Sequence, residues 1–123
     1  VLWVGDADGA VPLYSSTTRA ESSAAVAVDE RGDEIYVAGY LNDGADRPVL
    51  WTVEQAAPET FVATILGSSA GRATDVRATA DGTLVSGYVD GAAISAVLWV
   101  DGNAVSLPAN TGDSGANAVV VGP

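Results

Sequence analysis

The tripeptide Val-Leu-Trp occurs three times, as Val1-Leu2-Trp3, Val49-Leu50-Trp51 and Val97-Leu98-Trp99, each copy 48 positions after the last. These copies hold all 3 tryptophans of a 123-residue chain. Gly39-Tyr40 recurs at the same offset as Gly87-Tyr88. A fixed period of this length constrains the fold strongly. Each repeat is then one supersecondary unit, and it buries its apolar face only against a neighbour.

The segments between these landmarks read as strands. In one copy, a strand at 24–28 alternates Ala and Val from Ala25 to Val28, and a turn follows over 29–33. The next strand, 34–40, sets Ile35, Val37 and Gly39 against Tyr36, Ala38 and Tyr40. Such alternation marks a half-buried strand. Asn42-Asp43-Gly44 signals a turn. A third strand, 48–53, carries the tripeptide, and a loop with Pro58 leads to a fourth at 60–66. Ser68-Ser69-Ala70-Gly71 connects to the next copy, with strands at 76–80, 83–88, 94–100 and 104–107. Asp81-Gly82 and Asp101-Gly102 suit two-residue hairpin turns, where glycine takes positive φ freely.

Four short antiparallel strands in a unit of 48 residues predict an all-β fold made of β-propeller blades. A β-sandwich shares the short strands but does not account for the period. The expected segments are two blade strands in 1–14, full blades at 24–66 and 73–107, and the first strand of a further blade at 116–121. That makes under three blades, and a closed ring needs at least about four. The expectation is therefore assembly with further copies, or with the rest of a longer polypeptide. The start on Val1, already inside a repeat, fits a mature or excised portion.

An alternating strand, an Asp-Gly turn, a strand ending Gly-Tyr and then Val-Leu-Trp together resemble the extracellular propeller repeats of bacteria, most closely the HAF-type repeats. The matching positions are Gly39, Leu50 and Trp51 in one copy and Gly87, Leu98 and Trp99 in the next. The His-Ala-Phe triplet that names those repeats is not present. The resemblance implies a secreted or surface-exposed propeller and no single activity.

Composition removes whole classes of function. The chain has 16 acidic residues against 5 arginines, no lysine, and a net charge of −11. That balance argues against nucleic-acid binding, which needs a basic footprint. Without histidine or cysteine, Ser-His-Asp and Cys-His mechanisms and Cys/His zinc sites are excluded. No apolar run approaches the roughly 20 residues of a membrane-spanning helix. No cofactor is expected.

Trp3, Trp51 and Trp99 are expected to fill the seams between blades, and Gly39 and Gly87 to permit close approach beside them. The competing reading makes the tryptophans a ring of sugar-stacking platforms. Asp6-Ala7-Asp8-Gly9 has the spacing of a calcium loop but reads better as a hairpin turn. The acid pairs Asp29–Glu30, Asp33–Glu34 and Asp43–Asp46 read as solvated turn acids rather than a glycosidase pair.

An up-and-down blade puts alternate turns at opposite ends. One end is assigned Asp6, Asp8, Asp29, Glu30, Asp33, Glu34, Glu54, Glu59, Asp81 and Asp101, opposed only by Arg31. The other is assigned Glu21, Asp43, Asp46, Asp75, Asp90 and Asp113 with Arg19, Arg47 and Arg72. This second end also has the longer Ser- and Thr-rich loops, at 15–23, 68–74 and 110–114. Long loops on a rigid scaffold tend to carry function, so Arg19, Arg47 and Arg72 are the candidate anchors for a partner. The plainer alternative is that they pair with local acids.

The sequence thus reads as an extracellular or surface scaffold or binding module. One alternative is a glycan-binding, lectin-like propeller using Tyr14, Tyr36, Tyr40 and Tyr88. Another is a propeller-based glycoside hydrolase or lyase relying on carboxylates and tyrosines.

Overall fold

The computed structural model describes residues 2–3, 10–11, 22–67, 69–91 and 94–107. These form ten strands: β1 Leu2–Trp3, β2 Ala10–Val11, β3 Ser22–Arg31, β4 Glu34–Asn42, β5 Asp46–Glu54, β6 Ala57–Ile65, β7 Ala70–Thr79, β8 Gly82–Asp90, β9 Ile94–Val100 and β10 Asn103–Ser106. All pairing is antiparallel. β3-β4-β5-β6 and β7-β8-β9-β10 are two four-stranded meanders, and β1 and β2 pair with each other. The first three strands of one meander start 48 residues before those of the other.

The strands run longer than local sequence predicts. β3 continues to Arg31, so the turn shrinks to Gly32-Asp33, with Gly32 at φ 60°. Glycine with positive φ at the first of two turn residues fits the right-handed twist of the flanking strands. The turn before β8 is Ala80-Asp81, not Asp81-Gly82, and Gly82 opens the strand. Asp101-Gly102 does form a turn, both residues at positive φ, as a type I′ hairpin requires. Pro58 lies within β6 rather than in a loop. β6 is an edge strand, where a missing N–H is tolerated. Most of 68–74 is not a loop, because β7 begins at Ala70. The strand expected at 116–121 lies outside the described residues, as does most of 1–14.

β7 lies against β3, β4 and β5, so the two meanders stack face to face. The buried seam holds Ala38, Leu50 and Leu66 on one side and Ala73, Val76, Val85, Val97 and Trp99 on the other. Trp99 is 1% exposed. On the opposite face of the first sheet, Ile35, Val37, Leu41, Val49, Trp51 and Val53 form a second buried cluster, with Phe61 and Ala63 packed on it. Trp51 is fully buried. Each tryptophan stands across from an alanine in the next strand: Trp3 from Ala10, Trp51 from Ala63, Trp99 from Ala104.

Gly39 and Gly87 sit opposite β-bulges. The register slips between Ala25 and Ala27 and again between Ala73 and Asp75, so Val26 and Thr74 are the extra residues. A bulge bends its strand and raises local twist, here bringing backbone onto the facing glycine. A Cβ on Gly39 would lie 2.0 Å from the Ala24 carbonyl oxygen. On Gly87 it would lie 2.1 Å from the Arg72 carbonyl oxygen and 3.0 Å from the Trp99 ring.

Two substitutions probe this seam by urea titration. Trp99→Ala should cost about 3–5 kcal/mol, the usual range for emptying a buried aromatic site. Gly87→Ala should also destabilise, because backbone on one side and a buried ring on the other leave its methyl no room. A wild-type midpoint for Gly87→Ala would refute that packing.

Candidate functional site

The β4–β5 turn and the β6–β7 connection lie at the same end of the meanders, and Arg47 and Arg72 both stand there. Their local structure starts from Asn42. Its Oδ1 accepts the Gly44 N–H at 3.1 Å, closing a tight turn in which Gly44 has φ 114°. Its Nδ2 donates to Asp46 Oδ1 at 2.9 Å. One side chain therefore both shapes the turn and fixes the first carboxylate after it.

Asp46 Oδ2 accepts from Arg72 of the second sheet, through Nε and Nη2, each at 2.6 Å. The Arg72 guanidinium also lies over the Tyr40 ring, 4.1 Å from its centroid. Arg72 stands opposite Tyr88 in the β7–β8 register, so aromatic rings flank it from both sheets. Arg47 pairs with Asp43 of the same turn at 3.3 Å. The structure thus brings together two of the three candidate arginines, each ion-paired with an acid of the Asn42–Asp46 segment. Arg19 lies outside the described residues.

The charges respond to these contacts. The Asp46 carboxyl is held below its ordinary range, first by the Asn42 hydrogen bond and then by Arg72, although partial burial pushes the other way. The Arg72 guanidinium is raised by its bond to Asp46. Tyr36 is pushed up chiefly by the hydrogen bond its hydroxyl donates to Glu34.

Several acids read as solvated turn residues have specific structural partners. Asp29 lies in β3, and its Oδ2 accepts the Ala78 N–H of the second sheet at 2.8 Å. Glu30 accepts from Gln55 Nε2 at 3.1 Å. Asp75 is not on the loop end. It is buried in β7, where its Oδ1 accepts the Val76 N–H at 2.9 Å and faces Arg77 at 3.4 Å. Asp101 Oδ1 accepts the Thr83 N–H at 2.9 Å. Sequence reasoning missed the Asp29 and Arg77 roles, since both follow from the stacking of sheets or the exact strand boundary. The Asp6–Gly9 stretch lies outside the described residues. Among the described residues, no group of three acids is placed to hold a metal ion, and no helix is long and apolar enough to cross a membrane.

Chemically, this end offers a charged pair with an acid-tuned carboxylate, beside half-buried tyrosine rings. It suits recognition of a polar partner. Comparison with known proteins, by family model, by sequence and by structure, finds no match.

The Asp46 shift fixes a sign for pH dependence. A carboxyl whose native pKa is lowered adds stability that is fully present above its unfolded value, about 3.9. That contribution is lost as the pH falls through the native value. Asp46→Asn should therefore cost up to about 1 kcal/mol near neutrality, the scale of a partly exposed pair. In urea titrations the gap to wild type should narrow as the pH falls below the unfolded value and close only below the lowered native value. A gap independent of pH would show that the carboxylate charge is not what Asp46 contributes.

Proposed function

We propose that the chain is a scaffold or binding module of β-propeller repeats. In this reading it works outside the cell or on its surface, carries out no catalysis, and assembles with further copies or with the remainder of a longer polypeptide. The observation that carries the reading is the stack itself. Two four-stranded meanders lie face to face with β7 against β3, β4 and β5, as neighbouring blades of a propeller do. The matched strand starts and the bulges at Val26 and Thr74 support a repeat unit. Among the described residues, two meanders and one strand pair fall short of the four blades that closure needs, which is why the reading includes assembly.

The partner face in this reading is the Arg47–Arg72 end, where charge and aromatic surface meet. Tyr40 and Tyr88 flanking Arg72 also favour one alternative, a carbohydrate ligand, because sugars combine apolar faces with hydroxyls that bond to such pairs.

Ring closure is the test. Particles imaged by electron microscopy, together with solution scattering, should be annular with four or more blades. Solitary two-sheet particles would reject the propeller. A glycan array that loses its signals on Tyr40→Ala or Tyr88→Ala would instead identify the module as a lectin.

A further inference from the structure

β6 pairs with β5 alone among the described strands, so it is an edge of the first sheet. An edge strand offers backbone N–H and C=O groups to any strand that meets it, and proteins blunt such edges with bulges, charges or shortness. The other three edges of the two meanders are blunted. β3 bulges at Val26 and β7 at Thr74. β7 also bears Arg72, Asp75 and Arg77, and Asp29 takes its Ala78 amide. β10 has only 4 residues. β6 has 9, and its register irregularity lies at Glu54, away from Thr60–Ile65.

Thr60–Ile65 has no charge, proline or glycine, in a chain with 16 acids. That is the composition of segments that pair with copies of themselves. Val62 is 63% exposed, more than any other large apolar side chain among the described residues. Leu66 donates its N–H to the Pro48 carbonyl of β5. Backbone groups alternate in direction along an antiparallel strand, so Val62 and Thr64 also bond to β5. Ala63 and Ile65 therefore turn their N–H and C=O groups to the open side.

The sheet that follows β6 in the polypeptide does not add to this edge. It lies on a face of the first sheet, with β7 against β3, β4 and β5. Further sheets added in the same repeating way would cover faces and leave the rim open. That step rests on the repeat reading given above. A second copy meets no such constraint, and its own β6 is an uncharged strand of equal length.

We propose that β6 is a dimerisation edge, which pairs antiparallel with β6 of a second copy, Thr64 lying on the two-fold axis. Ala63 of each copy then stands opposite Ile65 of the other, and each such pair exchanges both backbone bonds. The two Thr64 side chains meet across the axis, a favourable cross-strand pair. Antiparallel pairing keeps the two Glu59 positions apart, whereas parallel pairing would set them side by side. The contact uses one surface twice, so it closes as a dimer. Each copy carries a net charge of −11, so repulsion opposes the contact and salt strengthens it.

The test combines sedimentation and hydrogen exchange of the full chain at about 0.05 M and about 0.5 M salt, a change that shortens the screening length severalfold. Wild type should dimerise, more tightly at the higher salt. The Ala63 and Ile65 amides should exchange fast in dilute protein and slow as the dimer forms. Thr64 is exposed, so Thr64→Lys and Thr64→Glu leave the core alone, and each should weaken the dimer by about tenfold or more by setting like charges opposite each other. An equimolar mixture of the two should recover a dimer. If circular dichroism shows either variant misfolded, the wild-type exchange data decide.

A wild type monomeric at both salts would overturn the proposal. So would a dimer that both variants leave intact, or a mixture that recovers nothing. Slow exchange of Ala63 and Ile65 in dilute protein would overturn it too, by showing the edge covered within the chain. Rim dimers of solitary two-sheet particles would keep this edge and reject the propeller. Annular particles without the dimer would do the reverse.

Discussion

A tryptophan ring is buried between two sheets only where the sheets leave room for it, and here a glycine makes that room. A Cβ on Gly87 would meet the Trp99 ring at 3.0 Å on one side and the Arg72 carbonyl at 2.1 Å on another. The second contact arises from the bulge at Thr74, which bends β7 toward its neighbour strand. The bent β7 is the strand that lies across β3, β4 and β5. Glycine, bulge and tryptophan therefore act as one unit. Filling the glycine position would push the ring, the bulge or both, and either shift opens the seam between the sheets.

Electrostatics serve this stack in an unusual balance. With 16 acids and 5 bases, most carboxylates have no cationic partner to find. Several are used instead as acceptors for backbone N–H groups. Asp29 reaches across the seam to the Ala78 amide, and Asp101 takes the Thr83 amide. β7 is an edge strand of its sheet, and an edge exposes unpaired amides that invite unwanted pairing. The Asp29 carboxylate satisfies one of them and links the two sheets with a charge-assisted hydrogen bond. Three of the five arginines, Arg47, Arg72 and Arg77, stand beside the Asn42 turn or on β7.

The period of the tripeptide and the Gly-Tyr pair made the strand order legible, because each landmark recurs at the same place in a unit. Strand ends were less legible. Residues 68–74 look like a loop by composition, but β7 begins at Ala70. Its small and polar residues reflect packing rather than a turn: a Cβ on Gly71 would lie 2.2 Å from the Tyr88 carbonyl oxygen. Pro58 looks like a breaker but sits on an edge strand that needs no donor there. At the candidate site, the pairing of Arg47 with Asp43 spans four residues and is local. The pairing of Arg72 with Asp46, and the Tyr40 ring beneath it, depend on how two sheets meet. A linear reading could name those residues without joining them.

The two sheets are also not interchangeable, and the difference is chemical. Asp29 and Arg77 occupy positions 48 apart, each opposite the third residue of the next strand, Tyr36 and Leu84. Asp29 stands on the face of the first sheet turned toward the second, and Arg77 on the face of the second sheet turned away from the first. In the first sheet that position is an acceptor and takes the amide of Ala78. In the second it is a donor, bonded to the Val76 carbonyl at 3.1 Å and facing Asp75. A sheet packed on the second face therefore meets guanidinium N–H groups where the seam inside the chain offers a carboxylate. An edge amide would be repelled there, and a carbonyl or carboxylate would be held. Stacking of apolar residues allows many sheets onto such a face, and the charge at this one position narrows which of them fit.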